Sequence, residues 1–210
     1  MTTDGRRPAV SVARDEIVPD RPFAALERTA DDLATLGRML SRLRRAVAEP
    51  RTDDRRDDHV TDREDGGIHH IVLPSVEAAR ASGRMATVGF FGQARLDVDH
   101  ASIIELEQAL IADMAEAHGI VAYHNVFWSG TGWGNLVVFR DHEARAGWGH
   151  DPRHADAVRR SPAHYHSIRL HVGTLHGGLI GDGSIELIRT RYLDYGSTPT
   201  WRALRTIGDG

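Results

Sequence analysis

The sequence predicts an α+β fold built on one antiparallel sheet, and three observations carry that expectation. Residues 164–175, HYHSIRLHVGTL, alternate side chains with period two, as a strand does when its two faces meet different surroundings. β-rich and helical runs follow one another from about residue 85 in the order β–α–β–β–α–β. The 210 residues, 40% of them hydrophobic, suffice for one ordinary core with extensions.

Residues 1–19 are polar, with scattered apolar side chains, and read as a disordered tail. Over residues 20–50, Asp20 and Pro22 look like a helix start. Phe23, Leu26, Leu33, Leu36, Leu40, Leu43 and Val47 then recur at three- and four-residue steps, apart from one longer gap, and define an amphipathic helix ending near Pro50. Its polar face carries Arg38, Arg42 and Arg45, and its apolar face is expected to dock on the main domain or a partner subunit. Residues 51–67, RTDDRRDDHVTDREDGG, hold one apolar side chain and read as a disordered linker.

The compact domain is expected at 68–210. IHHIVL at 68–73 reads as a short strand stopped by Pro74, with a short helix behind it. Met85 to Leu96 is a strand in which Gly89 and Gly92 suggest a bulge or a close backbone approach. Asp99 can cap a helix over 100–118, whose stripe is Ile103, Ile104, Leu106, Leu110, Ile111 and Met114. IVAYHNVFW at 120–128 is a buried strand, and NLVVFR at 135–140 returns across a glycine turn. Residues 141–160 are helical, with a break at Gly147–Gly149 and a new start at Asp151–Pro152. The strand at 164–175 closes this series, and SIELIRTRYL at 184–193 adds one more. The arrangement is ferredoxin-like, with an extra C-terminal strand. Helices on one face of such a sheet leave the other to be covered, and a homodimer would supply the cover.

Composition removes several functions. There is no cysteine, which excludes disulfides, thiolate metal sites and a Cys nucleophile, and no lysine, which excludes a Schiff base. No apolar run is long enough for a membrane helix, and no apolar segment follows Arg6 and Arg7 as a secretory signal would require. A cytoplasmic protein is expected. A net charge of −4 argues against a nucleic-acid binder. The glycines of GTGWG at 130–134 join two strands and do not open a helix, so they form no phosphate cradle.

Thirteen histidines are the informative excess, ten of them after residue 99. On the 164–175 strand, Tyr165, Arg169 and His171 share the face expected to line a cavity, and Ile168, Leu170 and Val172 share the other. Arg169 can anchor an anionic group and His171 can transfer a proton. Tyr123 and Asn125 share a face of the 120–128 strand and are candidate substrate contacts. His150 and His154 stand four apart, as metal pairs do, but Pro152 lies between them and no Glu follows His150 as in a metalloprotease helix, so no metal is expected.

The segment from about 85 to 175 resembles the dimeric α+β barrel superfamily, which includes antibiotic-biosynthesis-type and haem-degrading monooxygenases. The features that carry the resemblance are the element order and FRDHEARAGWGHDPRHADAVRRSP, in which Trp148 precedes His150 and His154. The resemblance implies a catalytic role for Trp148 and a haem-binding role for His154 or His150, or else chemistry without a cofactor. Haem-degrading members pair a first-strand Asn with the Trp and His, whereas the nearest amide here is Gln93. The expected function is a small-molecule enzyme, a monooxygenase-type oxidoreductase on an aromatic or polyketide-like substrate. The alternatives are a cyclase or dehydratase using His and Arg, and a ligand-binding module.

Overall fold

The structure is a computed structural model and describes residues 8–50, 54–61, 66–114, 119–128 and 132–208. Its strands are β1 (Val10–Val12), β2 (Arg56–Thr61), β3 (Gly67–Leu73), β4 (Met85–Ala94), β5 (Ile120–Trp128), β6 (Gly132–Phe139), β7 (Tyr165–Leu175), β8 (Ile185–Asp194) and β9 (Trp201–Thr206). Its helices are α1 (Leu26–Ala48), α2 (Val76–Ala79), α3 (Ala101–Asp113), α4 (His142–Trp148) and α5 (Pro152–His164). All the strands join one sheet in the order β1-β9-β8-β7-β4-β6-β5-β3-β2. Every pairing is antiparallel except β1 with β9.

This corrects the expected fold class. A single nine-stranded mixed sheet replaces the small ferredoxin-like sheet of a dimeric barrel. The extra width comes partly from segments that composition assigned to disorder. Val10–Val12 of the supposed tail runs parallel to β9, and Arg56–Thr61 of the supposed linker pairs in register with β3. The ladder's hydrogen bonds need no apolar side chains, and charge suits an edge strand that must not recruit another chain. Residues 51–53 and 62–65 of that stretch lie outside the described residues.

Helix α1 lies across one face of the sheet. Leu36, Met39, Leu40, Leu43 and Val47 are buried against Ile71, Phe91, Val126, Leu136 and Val138, while Arg38 stays in solvent. Each large apolar side chain buried this way contributes about 1.5–3 kcal/mol before ordering costs. Gly89 makes the close approach possible, since a Cβ there would sit 2.6 Å from Leu36 Cδ1. The sheet face expected to need a second subunit is therefore covered by the chain's own α1. Among the described residues, no helix is long and apolar enough to cross a membrane.

The opposite face carries α3, α4 and α5. Helix α4 packs on the sheet, where Ala144 and Trp148 join Ile111 and Met114 in a cluster with Tyr123, Val137 and Phe139, while most of α3 and α5 stands off it. In α3 only Ile111 is buried within the helix, and Ile103, Leu106 and Leu110 remain partly accessible; α5 buries only Ser161 and His164. The space beneath them is a cavity.

Candidate active site

The register of the sheet lays out the cavity floor. One row of paired positions runs Arg189–Val172–Val88–Val137–Tyr123 across β8, β7, β4, β6 and β5. The next runs Arg191–Leu170–Phe90–Asn135–Asn125. Paired positions share a face, so both rows look towards α3 and α5. The cavity they floor has a volume of about 470 Å³ and is also lined by Glu107, Met114, Arg145, Trp148, His154 and Tyr165. That is ordinary for a small-molecule site, as is its largely apolar wall.

Glu107 is the carboxyl at one side of this cavity. It projects from α3 and accepts hydrogen bonds at Oε1 from the Tyr123 hydroxyl and from Asn125 Nδ2. Burial raises its carboxyl above the ordinary carboxylate range, although both hydrogen bonds and the nearby His70 oppose the shift. Burial and the Glu107 charge push the Tyr123 phenol well above its usual range, so it remains a donor. Asn125 Oδ1 is buried without a partner. A second cavity of about 460 Å³ shares Glu107, Asn125 and Trp133 with the first and is lined by His70 and Asp57. His70 Nε2 lies 2.6 Å from Asp57 Oδ1.

Three arginines line the first cavity beyond its apolar centre, namely Arg145 from α4 with Arg189 and Arg191 from β8. Arg145 is held below the usual guanidinium range by burial and by the charges of Arg189 and Arg191.

The expected catalytic pair lies elsewhere. Arg169 and His171 project from β7 towards α1, away from the cavity. The Arg169 guanidinium clasps Asp32 of α1 through Nε to Oδ2 at 2.5 Å and Nη2 to Oδ1 at 2.8 Å. His171 Nε2 lies 2.8 Å from Asp32 Oδ2, and its Nδ1 lies 2.9 Å from Thr190 Oγ1. Asp32 is 5% exposed and His171 2%. Burial alone would raise the Asp32 carboxyl, but the hydrogen bonds and charges of Arg169 and His171 outweigh it and hold the carboxyl below its usual range. Ile168, Leu170 and Val172 are the residues of this strand that face the cavity.

Tyr165 joins them, contrary to simple alternation. Tyr165 pairs with Ala94 while Ser167 pairs with Gln93, so the strand gains one residue at His166 and Tyr165 turns to the cavity side. Its ring fills the space above Gly92, where an added Cβ would meet it at 2.5 Å. Gln93 lies on the α1 side, where its Oε1 accepts from Ser167 Oγ at 3.2 Å.

Trp148 and His154 line the cavity together, with ring centroids 5.7 Å apart. Burial lowers His154 below the usual imidazole range, and its Nδ1 is buried without a partner. His150 is exposed in the turn after α4, with Nδ1 2.9 Å from the Ala146 carbonyl oxygen of that helix. These donors do not fit an axial haem ligand. Such a histidine needs its second ring nitrogen held by an acceptor, which His154 lacks, and His150 does not line the cavity. Among the described residues, no three His, Asp or Glu side chains converge as a metal site.

Sequence reasoning missed Glu107, Asp32 and the arginine trio. A signal for Glu107 was present. It stands four residues after Ile103 and four before Ile111, inside the apolar stripe of its helix and not opposite it. Compared with models of known families, with curated proteins and with solved structures, the chain matches none.

Proposed function

We propose that the chain is a small-molecule enzyme that moves a proton within the cavity between the sheet and helices α3 and α5, with Glu107 as the acid–base group. The observation that carries this reading is a carboxyl raised by burial, held by Tyr123 and Asn125 at the wall of an apolar cavity. The ionised carboxylate takes a proton from an acidic C–H or O–H of the substrate. The Tyr123 hydroxyl stays protonated and steadies the carboxylate. Asn125 Oδ1 accepts a hydrogen bond from a substrate hydroxyl. The second cavity, with His70 and Asp57 along it, gives the proton an exit to water.

The reaction class closest to this arrangement is a non-redox isomerisation, cyclisation or dehydration. A cofactor-free monooxygenase begins with the same deprotonation, after which the substrate anion reduces dioxygen. Oxygen uptake separates the two.

The test uses 5-nitrobenzisoxazole, whose ring opens when a base removes one C–H proton. The protein should accelerate the opening, and Glu107→Gln should lower the rate by about 10²–10⁴-fold. The rate should rise with pH through a midpoint above the ordinary glutamate range, because the ionised form is the base. Equal rates for the protein and Glu107→Gln would contradict the proposal.

A further inference from the structure

The arginine trio has no counterpart in the proton chemistry. Arg189 and Arg191 stand on β8, four strand spacings from Tyr123 and Asn125 on β5, or about 19 Å across the floor. Arg145 reaches the same side from α4 and feels both of their charges. Among the described residues, no Asp or Glu forms an ion pair with any of the three. Arg145 Nε is buried and has no hydrogen-bond partner. Arg145 and Arg189 are half-buried and Arg191 is exposed, whereas other guanidiniums have partners inside the fold. Asp32 clasps Arg169, and Arg205 is wrapped by four backbone carbonyls. Three guanidiniums that line one side of a cavity, with no ion-pair partner among the described residues, are arranged for an anion from outside.

We infer that Arg145, Arg189 and Arg191 form an oxyanion subsite and that the cavity takes an aromatic or polycyclic acid. Its carboxylate or phosphate lies at the β8 side, and its ring system lies over Val88, Phe90 and Leu170. This rests on the reading of the cavity as a small-molecule site and adds the class of molecule it holds. The apolar middle of both floor rows fixes the body, and the arginines fix the head. Guanidinium forks suit both oxyanions, so the headgroup is left to measurement.

Calorimetric titration with 2-naphthoate, 2-naphthyl phosphate and neutral 2-naphthamide tests the subsite. At least one anion should bind about tenfold or more tightly than the amide, and the tighter anion identifies the headgroup. Arg145→Gln and the double variant Arg189→Gln/Arg191→Gln should remove that preference while still binding the amide, which also shows that they are folded. Glu107→Gln should keep the preference. Equal binding of acid and amide, or a preference that survives both arginine variants, would overturn the subsite and leave the proton-transfer reading standing. Absence of binding by all three probes at millimolar concentration would overturn the subsite, and the ring-opening rate of Glu107→Gln decides the proton-transfer reading separately.

Discussion

The two faces of the sheet are built for opposite purposes, and strand β7 serves both. On the α1 face, large apolar side chains fill the space and one charged cluster is sealed within it. On the α3 and α5 face, the helices keep their distance and the strand contributes Ile168, Leu170 and Val172 to a cavity. Arg169 and His171 of β7 are therefore structural, and its Ile168, Leu170 and Val172 face the site. Polarity on a strand does not by itself mark the functional face. A buried Arg and His are explained once a carboxylate arrives from a distant helix, and an apolar row is what a binding cavity requires.

The largest expected effect breaks the sealed face. Asp32→Ala strands two buried donors and removes the clasp between α1 and β7, so it should cost about 3–5 kcal/mol of stability by urea denaturation. Gly89→Ala comes next. Its methyl group would overlap Leu36, and overpacking of that kind costs about 1–3 kcal/mol. Neither change should alter proton transfer per folded molecule.

Stability against pH sharpens the comparison, because the two faces titrate with opposite sign. Asp32 is lowered from 3.8 in the folded state, so its contribution is present above that value and is lost as pH falls below it towards the folded value. Glu107 is raised from 4.5, so the folded state binds more protons than the unfolded one above that pH. Its contribution is present below 4.5 and is lost as pH rises through the raised value. Denaturation midpoints should show Glu107→Gln removing the loss on the alkaline side only. The smallest effect belongs to His150→Ala, an exposed change expected to shift stability by no more than about 0.5 kcal/mol.

The pattern of side chains located six of the nine strands closely, together with the long N-terminal helix, because each carries an apolar run or an apolar periodicity. IVAYHNVFW, for example, is β5. The edge strands escaped notice because they are held by backbone pairing. RDDHVT in β2 offers almost no apolar signal, and VSV in β1 is too short to have a period. The site was less legible. Tyr123, Asn125, Trp148, His154 and Tyr165 do line the cavity, yet the facing of β7 depends on Asp32, 137 residues away in sequence from Arg169. A period-two pattern pairs Arg169 with His171 but cannot say which partner waits opposite them. Glu107 is a lone carboxylate inside the apolar stripe of its helix, and that place is the one sequence signal it carries.

The central claim is that proton chemistry belongs to the cavity face and not to the α1 face. The most direct test is the rate of 5-nitrobenzisoxazole opening per folded molecule in His171→Gln and Glu107→Gln, with the folded fraction taken from denaturation of each variant. The account predicts an unchanged rate for His171→Gln and a fall of about 10²–10⁴-fold for Glu107→Gln. A fall of that size in His171→Gln, with Glu107→Gln fully active, would contradict it.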